Sequence, residues 1–152
     1  MLNRNLLWSS LLVAGLGLAD DPTVVSDAEK ATAQKKNIEG PTQTVGVERV
    51  ENLGAIDLGE DFEALKGRSL RARRITVAPG AIIAVHAHDA RPGVAYILEG
   101  ELTETRAGGG GERLYRAGDT ALEESDVVHW WRNDSGKQAV VLVVDVAQDE
   151  QE

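Results

Sequence analysis

From residue 45 to residue 146 the chain is a succession of short runs rich in branched residues, each closed by a turn. That punctuation limits its fold more than any other feature. Residues 46–52, 68–77, 82–88, 94–105, 112–117, 119–122, 127–132 and 138–146 read as strands. Ala78-Pro79-Gly80, the glycines from Gly108 to Gly111 and Asn133-Asp134-Ser135-Gly136 mark turns between them. No Gly-Lys-Ser/Thr follows the glycines, so they form no phosphate loop. Many short strands with no sustained helical period predict an all-β sandwich or barrel. One strand is irregular: Leu70 and Ala72 set an even-numbered apolar face, while Ile75 and Val77 sit on the odd one. A one-residue slip at Arg73-Arg74 predicts a bulge or a face change there. The run Arg68, Arg71, Arg73, Arg74 reads as a solvated face paired with carboxylates, with an anion site as the alternative.

His86 and His88 stand one residue apart on the run 82–88. Residues two apart on a strand point to one face, so the imidazoles form a natural pair of metal ligands. Ile82 and Ala84 are expected on the same face, which makes the pair project from an apolar wall. The plainer alternative is two surface histidines on an exposed strand.

The residues around these histidines carry a resemblance to a known family. Gly80 is followed by five residues, His86-Ala87-His88, four residues, Gly93, six residues and Gly100. Gly118, His129 and Asn133 repeat the spacing of a second motif, with Glu124 and Asp126 in place of its proline and second glycine. Together the two motifs resemble those of the cupin superfamily, small quercetinase-like members in particular. The resemblance implies a double-stranded β-helix, or jelly-roll, barrel over residues 46–147. It also implies that His129 joins His86 and His88 on one divalent ion. Gly93 stands where the family places a glutamate ligand. Asp89 is expected to point away and Glu99 lies about 20 Å along the strand, so a three-histidine site is expected. Such a site leaves positions open to ligand and leaves the ion its full charge, which favours anionic chelators. Imidazoles suit Fe, Zn, Mn, Ni or Cu, and affinity order does not choose among them. Trp131 shares the parity of His129, and with Gly93 and Ala95 it is expected to wall a pocket; Trp130 faces the other way.

Net charge is −9, which argues against a nucleic-acid or anionic-membrane partner. Cysteine is absent, which excludes disulfides and thiolate metal sites. Arg4 precedes an uncharged, leucine-rich stretch ending Gly17-Leu18-Ala19. Residues 1–19 therefore read as a signal peptide cleaved after Ala19, giving a secreted or periplasmic protein with no membrane anchor. Residues 20–45 read as a flexible arm, with a short helix over 26–36 started by Ser26 and Glu29, and 148–152 as an acidic tail. The expected function is a metal-dependent oxygenase acting on a small enolisable or phenolic compound. The alternative is a non-catalytic cupin that binds a small ligand or metal as a sensor or scavenger. A homodimer is implied by the family resemblance alone.

Overall fold

Ser26 begins the first element because it and Glu29 satisfy each other's backbone. The Ser26 N–H donates to the Glu29 carboxylate at 2.7 Å, and the Glu29 N–H donates to Ser26 Oγ at 3.3 Å. This reciprocal capping box starts α1 (Asp27–Lys35), as the sequence predicts. The computed structural model describes residues 24–149. The expected signal peptide, its cleavage point and the acidic tail from residue 150 onward lie outside the described residues.

Eight strands follow: β1 (Val45–Asp57), β2 (Arg68–Ala87), β3 (Gly93–Glu99), β4 (Glu101–Arg106), β5 (Gly111–Arg116), β6 (Thr120–Glu123), β7 (Val128–Arg132) and β8 (Ala139–Gln148). They form one antiparallel sheet in the order β5-β4-β7-β2-β8-β3-β6, with β1 added along β2. β2 is long because it serves two walls. Its residues 68–77 pair with β8 and its residues 82–87 pair with β7. Between the halves Gly80 adopts φ +76°, a conformation that glycine takes without steric cost. The sheet curls into a nearly closed barrel, the expected jelly roll.

Alternate residues fill the interior: Ile75 and Val77 on β2, Ala95 and Ile97 on β3, Val141 and Val143 on β8. Fully burying one such aliphatic side chain contributes about 1.5–3 kcal/mol. Val25, at 2% exposure, belongs to the same core, and Ala33 of α1 packs with Val85, Ala87 and Val128 on the barrel's outside. The segment expected as a mobile arm is therefore, from Val24 on, seated against the barrel.

Of the bulge or face change expected at Arg73-Arg74, the bulge is absent from the β2–β8 ladder. β2 and β8 keep unbroken register from Arg68↔Gln148 to Val77↔Ala139. The irregularity lies on β1, between Asn52 and Gly54, opposite Arg73 and Ala72. The apolar pattern changes parity because Arg73 itself takes an inward position, 5% exposed, while Leu70 faces out at 37%.

Candidate metal centre

The centre is built on a bulge that the sequence pattern hides. Ile83 pairs with Trp131 and His86 with His129, so β2 carries one residue more than β7 between those pairs. A bulge of this kind re-aims the side chains beyond it. The expected wall of Ile82 and Ala84 is thereby replaced: Ile82 pairs with Arg132, and Ile83 lines the cavity beside His86. The bulged residues also find partners outside the ladder. The Ala84 N–H donates to Thr44 Oγ1 at 3.0 Å, and the Val85 N–H donates to the Pro41 carbonyl at 2.8 Å. The Ala84 carbonyl accepts from His86 Nδ1 at 2.8 Å.

The other two rings are held in the same manner. His88 Nδ1 donates to the Arg91 carbonyl at 3.0 Å, and His129 Nδ1 donates to Glu104 Oε1 at 2.5 Å. Carbonyl and carboxylate oxygens only accept, so each ring carries its hydrogen on Nδ1 and offers the Nε2 lone pair. Those lone pairs converge. His88 Nε2 lies 3.0 Å from His129 Nε2, which lies 3.1 Å from His86 Nε2. All three ligand atoms lie within 4.8 Å of one another. Two ligands about 2.1 Å from one ion at a right angle stand about 3.0 Å apart. Three lone pairs facing one point repel one another, and a cation at that point turns the repulsion into attraction. The donor set thus fits a divalent metal ion, with His86, His88 and His129 as its ligands.

Burial keeps the rings ready to bind. His86 is 4% exposed, and His88 and His129 are wholly buried. Burial, then the neighbouring His129 and His88, push His86 well below the ordinary imidazole range. Burial and His129 likewise bring His88 down to about 3. Glu104, 1% exposed, steadies the third ring. Burial opposes its ionisation, but hydrogen bonds from His129 and Arg106 outweigh it and hold the carboxyl below the usual range. Arg106 Nε donates to it at 2.8 Å and Tyr115 OH at 3.0 Å. Sequence reasoning missed Glu104, although its parity with apolar Leu102 on β4 marks an acidic residue on an inward face.

The family model for a cupin domain matches residues 73–145, a span that contains all three ligands and both walls of the site. This chain carries a cupin domain. Solved structures agree on the fold. KdgF from Halomonas sp. superposes with a TM-score of 0.55 at 14% identity, over 76% of this chain and 91% of that one. An RmlC-like cupin from Shewanella frigidimarina gives 0.51 at 22% identity, over 73% and 85%. A cupin-superfamily sugar phosphate isomerase from Silicibacter pomeroyi matches 62% of this chain at 21% identity with a TM-score of 0.47, too low to bear on the fold, and this chain spans 59% of its length. No curated protein matches this cupin.

Beside its histidines this cupin encloses a cavity of about 40 Å³, lined by His86, Arg73, Arg91, Glu123 and an apolar wall. Of the expected pocket residues, Ala95 and Trp131 line it and Gly93 does not. Trp131 packs against Tyr115 and His129, each at 5.4 Å between ring centres. Trp130 faces the opposite way, toward the α1 cluster, as expected. Asn133 is fully buried; its amide donates to the carbonyls of Val77 and Lys137, closing the turn after β7.

The arginine run divides between inside and outside. Arg74 pairs with Glu51 on the surface, whereas Arg71 and Arg73 both bond Asp145, at 3.1 and 2.9 Å. Arg91 donates to Asp145 at 2.6 Å and also pairs with Glu29 of α1. Burial works against ionised Asp145, but the three arginines outweigh it and hold its carboxyl low. Two groups in this layer remain buried with no hydrogen-bond partner, Arg73 Nε and Glu123 Oε2. A second carboxylate that sequence reasoning missed also comes near: Glu123 Oε1 lies 3.8 Å from His129 Nε2, outside the three-histidine group.

Proposed function

We propose that this cupin binds one divalent metal ion through His86, His88 and His129 and acts as an oxygenase on a small, anionic, enolisable or phenolic compound. The convergence of three buried imidazole lone pairs, with His86 bordering a lined cavity, carries the reading. A bound ion supplies Lewis acidity toward the substrate's oxygen atoms and, if redox-active, the electron transfers that dioxygen chemistry requires. The chain's own residues do the rest. Ile75, Ile83, Val143 and Trp131 give the cavity apolar walls, which strengthen charge interactions inside it. Arg73 Nε, buried without a partner, offers a donor to an anionic group of the substrate. Ala84, Arg91 and Glu104 hold the rings in their ligating tautomer.

The test is oxygen uptake by metal-reconstituted protein against a panel of β-dicarbonyls, 2-oxo acids and catechols. Uptake dependent on the ion and abolished in Arg73→Met supports the reading. Absence of uptake with the ion still bound favours a second reading, a sensor or scavenger that does not turn over. The modest cavity supports that alternative: about 40 Å³ holds only about three water positions unless Val24 gives way. We also infer export, from the uncharged leucine-rich stretch after Arg4. A native N-terminus at Asp20 supports it, and a retained Met1 contradicts it.

A further inference from the structure

The ladder between β3 and β6 sets Glu123 directly opposite Gly93, and the ladder between β3 and β8 sets Asp145 on the other side of the same glycine. Cross-strand partners share a face. All three positions therefore point into the barrel, and Glu123 and Asp145 are 4% and 1% exposed. Gly93 cannot carry a side chain on this backbone. An added Cβ would stand 2.7 Å from the Val144 carbonyl oxygen and 2.9 Å from Asp145 Cβ. A carboxylate at this level of the barrel has to come from a neighbouring strand.

The two carboxylates have different surroundings. Asp145 is saturated by Arg71, Arg73 and Arg91. Glu123 receives no hydrogen bond at Oε2, and the hydrogen bonds that Arg91 donates from its side chain go to Glu29 and Asp145. A buried carboxylate without a compensating partner is expensive. Its Oε1 lies 3.8 Å from His129 Nε2. Two ligands about 2.1 Å from one ion stand between about 3.0 Å apart at right angles and about 4.2 Å apart on opposite sides. The group within mutual 4.8 Å is the three histidines, so Glu123 stands farther than that from at least one of them while its Oε1 comes within 3.8 Å of His129, and completing the set takes a rotation of its side chain.

We propose that Glu123 is a fourth metal ligand, an oxygen donor sent from β6 across the ladder to the place that Gly93 leaves bare. The assignment rests on the metal site proposed above. It makes the donor set three nitrogens and one oxygen, lowers the net charge at a divalent ion from two to one, and gives Glu123 its missing partner. Such a set takes a borderline divalent cation such as Fe²⁺, Mn²⁺ or Co²⁺ rather than a soft one.

Co²⁺ is the probe. Metal-free full-length protein, Glu123→Gln and Glu123→Ala are titrated with Co²⁺ against a competing chelator, and the visible spectrum of the bound ion is recorded. Thermal unfolding of the metal-free forms reports whether the variants fold. The expected result is at least tenfold weaker Co²⁺ binding in both variants, a changed spectrum, and metal-free melting temperatures no lower than that of the wild type. Wild-type binding with equal affinity and spectrum in the variants overturns the assignment alone. Failure of the wild type itself to bind Co²⁺ overturns the metal reading and the assignment with it.

Discussion

Three acceptors hold three imidazoles, and they differ in kind. His86 and His88 lean on backbone carbonyls, which no side-chain substitution removes, but His129 leans on Glu104. Glu104→Gln keeps the shape and removes the charge. Outer-shell partners of this type contribute about 10–100-fold in metal affinity. Chelator competition on Glu104→Gln is expected to show a loss in that range, and unchanged affinity would mean that packing alone orients His129. The depressed imidazoles also predict a pH dependence. In the unfolded chain His86 and His88 take up protons near pH 6.5, while the folded metal-free protein refuses them until far lower pH. Stability is therefore full above pH 6.5 and falls as pH drops toward 4.5, by about 1.4 kcal/mol per pH unit for each histidine. Burial raises the Glu123 carboxyl above its unfolded value, so its protonation favours the fold as pH falls and offsets part of the loss. Two histidines outweigh one carboxyl, and Glu123→Gln steepens the decline. Urea denaturation of the metal-free protein at several pH values measures this; a flat profile between pH 6.5 and 4.5 contradicts it.

At the scale of elements, β3 and β8 leave no room for a side chain at Gly93. Gly93→Ala puts a methyl group against the Val144 carbonyl oxygen, which belongs to the backbone of a central strand and cannot swing aside. Overpacking of this kind costs about 1–3 kcal/mol. Denaturant unfolding should show a loss of that size, and a neutral variant would mean that β3 shifts freely. Restoring a glutamate at this position is correspondingly expected to damage the barrel rather than complete the site. The strands themselves were legible in the sequence, because turns and branched residues are local signals. So was α1, through Ser26 and Glu29. The three histidines were legible through motif spacing. What escaped was register. The β2 bulge beyond Ile83, the inward turn of Arg73 and the placement of Glu123 across from Gly93 depend on which residues of distant strands face each other. A search for a substitute carboxylate along the chain near Gly93 passes over one that is adjacent only across the sheet. Glu104 is the exception: its inward parity was readable on β4 itself.

At the scale of the molecule, the outer face of β1-β2-β8-β3-β6 carries several exposed apolar side chains beside the Arg74–Glu51 pair. Ile56, Leu70, Tyr96, Leu98 and Leu122 are all exposed there, Ile56 at 59% and Leu122 at 54%. Large apolar side chains exposed on one sheet suit an interaction site, and we propose a second copy of this chain as its occupant. Light scattering should give a dimer mass that Tyr96→Glu with Leu122→Glu halves, whereas a monomeric wild type contradicts the proposal. The barrel, its cavity and the buried carboxylates all bear on one point where His86, His88 and His129 meet. The most direct test is metal stoichiometry, by inductively coupled plasma mass spectrometry, on protein reconstituted with Fe²⁺, Mn²⁺, Co²⁺ or Zn²⁺ and freed of loose ions. One tightly held ion per chain, falling at least tenfold on changing any one of the three histidines to alanine, is the predicted result. A wild type that retains no ion, or a single-histidine variant that retains it fully, contradicts the account.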